Sequence, residues 1–277
     1  MVTEEKHIQL IEKIKNLYVE DKKRQQHAQK MREKEFCAFC DELQNFYEQE
    51  KEVLNQHITL FISQYSFLNE KSSLQIINKH KQETYHSSFL EYLWGNKASF
   101  GCKAFYDFIN DILTDKESWV DTIKQSSYKV FTEEYIKEQR KEGLNKKRID
   151  LIFVDEKNKW CVIIENKIES KVHYSDNRSQ LDNYFDYGKR KYKGFHQLYI
   201  LLSHTDNQKH EKGEWKSANY HQVFKSLLKY HTEDSLLRDY LKTLFALLFP
   251  NEQMNNYSTH SLYQGMLFYN CIISKIK

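Results

Sequence analysis

Two short apolar runs stand out in the middle of the chain, separated by a polar turn. The first is residues 148–154 (Arg-Ile-Asp-Leu-Ile-Phe-Val) and the second is residues 160–167 (Trp-Cys-Val-Ile-Ile-Glu-Asn-Lys). Each run is rich in β-branched and aromatic residues and is bounded by turn-forming residues, a pattern typical of strands. The pattern therefore predicts a hairpin of two mostly buried strands.

Charged residues interrupt both runs. If Asp155 faces Trp160 across the turn, then Asp150 falls opposite Glu165. Directly opposed residues of antiparallel strands project from one face, with Cβ atoms roughly 4.5–5.5 Å apart. The sequence therefore predicts two carboxylates that converge inside an apolar sheet.

A lysine joins this pair of acids. Because strand side chains alternate between faces, Lys167 is predicted on the face of Glu165 and Asn166 on the other. Two like charges so close repel, and a divalent cation with oxygen ligands, such as Mg²⁺, relieves the repulsion. Such a cation polarises a phosphoryl oxygen and lowers the pKa of a bound water, so the pattern indicates phosphodiester hydrolysis. The structural alternative is a buried ion pair between Lys167 and one of the acids, which leaves the other acid uncompensated.

The N-terminal third shows helical periodicity without strand signals. Apolar residues recur at helical spacing in residues 8–18 and again in 36–47, around a charged and amide-rich stretch at 21–35. We predict one or two long helices, forming a helical extension over residues 1–70, and further helices over 53–77. The alternating charges favour a solvated helix face over a nucleic-acid arm. Coiled-coil-like pairing with another helix, of this chain or of a second copy, stays open.

Residues 71–277 alternate helical and strand patterns and are predicted as one domain. Helices are predicted at 82–94, 104–113, 180–188, 220–230, 236–249 and 262–276. Additional strands are predicted at 128–135 and 197–203, and a turn at 143–147. A helix between strands implies a crossover, so the fold class is α/β with a mixed β-sheet core flanked by helices.

Composition and charge set broad limits. The chain has 277 residues, of which 40% are hydrophobic, which is enough for a sizeable core. Its formal net charge of +3 is too small to indicate a nucleic-acid protein by itself. The first residues lack the layout of a signal peptide, and no run of about 18 apolar residues occurs, so a soluble, cytoplasmic protein is expected. The five cysteines are predicted to be reduced core thiols, including the Cys37/Cys40 pair.

The motifs together resemble a known family. Asp150, the Glu-Asn-Lys of residues 165–167 and Gln180-x-x-x-Tyr184 resemble the PD-(D/E)XK nuclease superfamily. Three stretches together point to one uncharacterised group of this superfamily, which has an "ENKI" strand. They are residues 83–90 (Glu-Thr-Tyr-His-Ser-Ser-Phe-Leu), 148–150 (Arg-Ile-Asp) and 164–168 (Ile-Glu-Asn-Lys-Ile). The likeness covers about residues 79 to 203 and implies a restriction-endonuclease-like core, here with a long helical N-terminal extension.

The resemblance also implies a metal site. Asp150 and Glu165 would bind Mg²⁺ or Mn²⁺, and the Asn166 carbonyl would add a ligand. Glu83 matches the extra acid that many members place near the metal.

Catalytic roles follow from the same resemblance. Lys167 would position or activate the attacking water, while Gln180 and Tyr184 would orient Lys167 or the nucleic acid. Ile149 stands where the motif has proline, a common departure. As alternatives, Gln180 could simply begin a helix and Tyr184 could pack on the core.

Two other groups have competing interpretations. Lys189, Arg190, Lys191 and Lys193 could grip nucleic-acid phosphates, although favourable charge at a helix C-terminus explains them equally well. His86 and Ser87 diverge by about 100° on a helix, so packing is favoured over a nucleophilic pair.

The sequence thus predicts a Mg²⁺-dependent nuclease that acts on DNA. Formation of a homo-oligomer through the N-terminal helices is also compatible with it. One alternative is a catalytically inactive nucleic-acid-binding or regulatory module on the same fold. Another is a helical scaffold whose partner is a protein.

Overall fold

The computed structural model of the protein describes residues 2–115, 117–137, 146–170, 174–175, 178–204 and 214–249. A single helix, α1 (Val2–Gln64), occupies the N-terminal region, as the helical periodicity predicts. The chain divides into two compact units, residues 1–56 and 57–277, and the division falls within α1. The predicted turn at 143–147 lies partly, and the predicted helix at 262–276 wholly, outside the described residues.

The second unit alternates helices and strands. Its helices are α2 (Ser73–Ile76), α3 (Glu83–Leu93), α4 (Gly101–Ile112), α5 (Gln180–Lys191), α6 (Tyr220–Leu228) and α7 (Ser235–Leu248), with 3₁₀ turns at Ser66–Asn69 and Val120–Gln125. Its strands are β1 (Lys129–Lys137), β2 (Lys146–Asp155), β3 (Trp160–Lys167), β4 (Tyr174–Ser175), β5 (Arg178–Ser179), β6 (His196–Ser203) and β7 (Trp215–Asn219).

Five strands form one mixed sheet in the order β1-β2-β3-β6-β7. The pairs β1/β2 and β2/β3 are antiparallel, whereas β3/β6 and β6/β7 are parallel. Helix α5 provides the crossover from β3 to β6, because parallel neighbours cannot be joined by a tight turn. Every residue of β3 is buried, which explains its nearly continuous apolar sequence. The predicted α/β fold with a mixed sheet and flanking helices is confirmed.

The two faces of the sheet are covered by different helices. On one face the side chains of Ile152 and Ile163 belong to a core cluster completed by Leu181 and Tyr184 of α5. On the other face Phe153 stacks on Phe105 of α4, with ring centroids 4.1 Å apart. Alternation along each strand therefore decides which helix a given side chain meets.

One strand and two cysteines depart from the predictions. Strand β7 has no clear sequence signal, because only Trp215 and Ala218 of its five residues are buried. The expectation of core packing is wrong for Cys37 and Cys40, which are exposed free thiols, although Cys161 is buried as predicted. Helical spacing marks an apolar stripe but does not supply a partner to cover it.

No helix within the described ranges is long and apolar enough to cross a membrane.

Candidate active site

The acid pair lies where β2 and β3 run side by side. Asp155 pairs with Trp160 and Leu151 pairs with Ile164, which is the predicted register. Asp150 occupies the next position, opposite Glu165. Both therefore share the sheet face that α5 covers.

Glu165 is fully buried and receives two donors on one of its oxygens. Lys167 Nζ lies 2.6 Å from Glu165 Oε1, and Gln180 Nε2 donates to the same oxygen at 2.5 Å. The second oxygen, Glu165 Oε2, is buried and has no hydrogen-bond partner in the described structure. A buried carboxylate oxygen without a donor is costly, so the acid pair needs either a proton shared between Asp150 and Glu165 or a cation.

Burial and mutual repulsion shift the ionisation of the acids. Burial and the nearby charge of Asp150 raise the pKa of Glu165 well above its usual value. Burial also raises the pKa of Asp150, although a 2.8 Å hydrogen bond from the Asn166 backbone amide opposes the shift. Both shifts have the direction expected for two acids buried close together, where burial and mutual repulsion favour the neutral form.

The pKa of Lys167 is also raised, but for a different reason. Burial lowers the pKa of its ammonium, but attraction to Glu165 and Asp150 outweighs burial and raises it overall. Lys167 is therefore a protonated hydrogen-bond donor in this arrangement.

Helix α5 delivers two polar side chains to the acids. It begins with a capping box in which the Ser179 hydroxyl accepts from the Asp182 amide and the Asp182 carboxylate accepts from the Ser179 amide, so its first turn is well fixed. Gln180 and Tyr184 are one turn apart on this helix, and Gln180 Nε2 also donates to Tyr184 Oη at 2.8 Å.

The chain of hydrogen bonds continues into β2. The Tyr184 hydroxyl donates to the backbone carbonyl of Arg148 at 2.6 Å. Glu165 on β3 is thus tied through Gln180 and Tyr184 to the strand that carries Asp150. The structure brings these predicted site residues together, and it gives Tyr184 both a packing and a polar role.

Glu83 approaches from the opposite side, at the first residue of α3. Its Oε1 accepts from the Ile168 amide at 2.8 Å and from the Ser170 hydroxyl at 2.7 Å. These bonds fix the chain where it leaves β3, just after Lys167. Glu83 is also close enough to raise the pKa of Asp150.

The Asn166 side chain faces away from the acids, as strand alternation predicts. Its Nδ2 donates to the backbone carbonyl of Glu83 at 3.2 Å and to Ser87 Oγ at 3.3 Å. Its Oδ1 accepts from the Tyr220 hydroxyl at 2.8 Å. Because the side chain is engaged on the far face, only the main-chain carbonyl of Asn166 is a candidate ligand.

Tyr220 and Tyr240 extend this buried network, and sequence reasoning missed both. His86 bonds to the Tyr240 hydroxyl (2.9 Å) and to the His80 carbonyl (2.8 Å), so it packs α3 against α7 as a structural residue. The signal for this network was weak, because the two tyrosines are far from α3 in sequence and a tyrosine in an apolar stripe looks like ordinary core.

The basic residues after Gly188 lie at and just beyond the far end of α5. Lys189, Arg190, Lys191 and Lys193 are all exposed. Lys191 donates to Tyr187 Oη at 2.6 Å. At 1.5 Å per residue, Lys191 is roughly 16 Å along the helix from Gln180. The structure therefore does not bring this group to the acids.

A metal fits this donor set only in part. Within the described ranges there is no cluster of three or more His, Cys, Asp or Glu side chains arranged to hold a metal ion. Asp150 and Glu165 nevertheless supply hard oxygen donors, and the unpartnered Glu165 Oε2 is an atom that a divalent cation would satisfy. The residues present fit a cation held by two carboxylates with other ligands from backbone, water or substrate.

Comparison with known proteins agrees with this geometry. A family model described as the PD-(D/E)XK nuclease superfamily matches residues 72–255, which is more than half of the chain and includes α3, the β2/β3 hairpin and α5. No curated protein and no solved structure shows a significant match. On the extent of the family match, the chain belongs to the PD-(D/E)XK nuclease superfamily.

Proposed function

We propose that the protein is a metal-dependent nuclease that hydrolyses phosphodiester bonds in DNA. The observation that carries the proposal is the buried pair of Asp150 and Glu165, in which Glu165 Oε2 has no hydrogen-bond donor among the described residues while both acids are ionised. A purely structural ion pair would not need the second carboxylate. Membership of a nuclease superfamily supports the same reading.

The metal would be Mg²⁺ or Mn²⁺, held by Asp150 and Glu165. Glu83 and the main-chain carbonyl of Asn166 are the further candidate ligands from this chain. When bound, the cation supplies Lewis acidity, polarising a phosphoryl oxygen and lowering the pKa of a water molecule.

The other polar groups have roles that follow from their contacts. Lys167 offers an ammonium beside the carboxylates, where it can hold a water molecule and stabilise negative charge that develops on phosphate. Gln180 fixes Glu165, and Tyr184 fixes Gln180. These two residues would preserve the carboxylate geometry while the substrate binds.

Several wider features belong to the same proposal. The exposed group Lys189, Arg190, Lys191 and Lys193 would contact DNA phosphates away from the scissile bond. The domain organisation proposed is a helical extension at 1–70 and a nuclease-like domain at 71–277. The proposal also includes a cytoplasmic location and assembly through the N-terminal helix. The free thiols of Cys37, Cys40 and Cys102 suit a reducing compartment.

A cleavage assay tests the proposal. Supercoiled plasmid, linear duplex DNA and a matched RNA are incubated with wild-type protein and Mg²⁺ or Mn²⁺, alongside Asp150→Asn and Lys167→Met. Glu156→Gln is the matched control, because Glu156 is an exposed acid on the turn between the same two strands. Metal-dependent cleavage by wild type and the control, but not by the two site variants, supports the proposal.

Two results would count against it. Binding of DNA without cleavage in any metal would favour the inactive nucleic-acid-binding module. Equal cleavage by wild type and both site variants would mean that the activity does not arise from this site.

A further inference from the structure

Part of α1 presents an unpaired apolar stripe. Phe36, Phe39, Leu43, Phe46 and Val53 each keep between 50% and 67% of their surface exposed. Their spacing of three, four, three and then seven residues puts them on one face of the helix, in the a and d positions of a heptad pattern. Exposed aromatic and aliphatic side chains arranged in this way mark an interaction surface.

Two charged residues lie on the same face, one before Phe36 and one between Phe46 and Val53. Arg32 stands one heptad before Phe39, in a d position, and Glu50 stands one heptad after Leu43, in an a position. Both are exposed, and neither forms an ion pair with any residue that the structure describes. The apolar centre of this face, from Phe36 to Phe46, is therefore preceded by a positive charge and followed by a negative one.

We infer that this face pairs with the same face of a second copy of the chain, as an antiparallel two-helix coiled coil centred between Phe39 and Leu43. In this register Phe36 lies beside Phe46 of the second copy, and Phe39 beside Leu43 of the second copy. Arg32 then meets Glu50 of the second copy, and the two-fold symmetry creates this ion pair twice.

The charges select the antiparallel arrangement. In a parallel, in-register dimer each Arg32 would face another Arg32, and each Glu50 another Glu50. Like charges in such positions are destabilising, whereas the antiparallel register pairs opposite charges with no change to the apolar centre.

The surface area is consistent with a dimer. Fully covered aromatic side chains bury roughly 150–250 Å² each, so covering the half-exposed stripe on two helices removes on the order of 1,000 Å² of apolar surface. Adding the stems of Arg32, Glu50 and the flanking residues brings the interface near the roughly 1,200 Å² at which specific interfaces begin. The dimer is thus expected to dissociate on dilution.

Sedimentation velocity of the full-length protein over a range of concentrations tests the inference. Wild type should show a monomer–dimer equilibrium. Arg32→Glu and Glu50→Arg should each weaken dimerisation by about tenfold, because each change turns two attractive pairs into repulsive ones. The combined Arg32→Glu/Glu50→Arg variant should recover the wild-type dissociation constant. Lys34→Glu, a charge reversal away from the stripe, is the matched control and should leave it unchanged.

The pattern of results separates the alternatives. A monomer at every concentration would overturn the inference, because another occupant must then cover the stripe or it stays uncovered. A dimer in which the combined variant is as weak as the single variants, or in which the single variants have no effect, would overturn the antiparallel register. The measurement uses neither metal nor nucleic acid, so its outcome is independent of the proposed nuclease activity.

Discussion

The side-chain nitrogen of Gln180 lies 2.5 Å from Oε1 of Glu165. This contact links the first turn of α5 to the buried acid of β3, and the same nitrogen also bonds to Tyr184. The helix therefore supports the acid pair directly and does more than cover the sheet.

We predict that Gln180→Leu reduces nuclease activity strongly and leaves the stability of the fold nearly unchanged. Loss of a group that orients a metal-binding residue typically costs about 10–100-fold in metal affinity or activity. The Mn²⁺ concentration that gives half-maximal cleavage should therefore rise. The urea concentration at the unfolding midpoint should change little. A variant with wild-type metal dependence would show that Gln180 does not position Glu165.

Asp150→Asn is predicted to stabilise the metal-free protein near neutral pH. Burial raises the pKa of Asp150, so the folded state holds its proton more tightly than the unfolded state does. The resulting penalty is absent below the unfolded pKa, grows as pH rises from the unfolded to the folded pKa, and is constant above it. Asparagine keeps the acceptor for the Asn166 amide but carries no charge, so the variant avoids this penalty.

Urea unfolding of wild type and Asp150→Asn in EDTA, at several pH values, checks this prediction. The stability advantage of Asp150→Asn should increase with pH and should shrink or reverse when Mn²⁺ is added. A variant that is less stable than wild type at pH 8 without metal would contradict it. Glu156→Gln serves as the surface control.

His86 should make stability fall in mild acid. Burial lowers the pKa of His86 to about 4, with both ring nitrogens engaged by Tyr240 and His80. Between these two pKa values the unfolded state binds a proton at His86 and the folded state does not. The stability that neutral His86 contributes is therefore complete above the unfolded pKa of about 6.5 and is lost as pH falls towards 4. The loss amounts to about 3 kcal/mol over that window.

The pH slope of unfolding free energy in wild type and His86→Gln tests this directly. In His86→Gln the unfolding free energy should depend much less on pH between 6.5 and 4 than it does in wild type, whatever the absolute stability of the variant. His196→Gln, which lies near the start of β6, is the control and should retain the slope.

Tyr220→Phe should destabilise the protein and loosen the end of β3. The change leaves the buried Asn166 side-chain oxygen without its 2.8 Å donor, which costs about 1–3 kcal/mol. Tyr92→Phe removes a hydrogen bond of equal length to Asp234 at a more exposed position, and it should cost less. Thermal unfolding of the two variants side by side provides the comparison, and equal losses would argue against a special role for the Asn166 network.

The local parts of the site were predictable from sequence, because each depends on a fixed period. The position of the turn predicted that Asp150 lies opposite Glu165, and alternation along the strand predicted the opposite direction of Asn166. Helical spacing gave the pairing of Gln180 with Tyr184. These periods are properties of the backbone and do not depend on the rest of the fold.

The remaining parts depend on contacts between distant segments. Nothing in the local sequence indicates that the Tyr220 hydroxyl meets Asn166, or that the Glu83 carboxylate accepts from the Ile168 amide. Strand β7 was missed for a related reason, because a short edge strand with two buried residues has no distinct pattern. The exposure of Cys37 and Cys40 shows the same limit, since an apolar stripe does not reveal what covers it.

The most direct test of the central claim is calorimetric titration of Mn²⁺ into the wild-type protein. The account predicts saturable binding that Asp150→Asn and Glu165→Gln each weaken by at least about tenfold and that Glu156→Gln leaves unchanged. An absence of binding by wild type, or equal affinity in all four proteins, would contradict a metal site at the Asp150/Glu165 pair.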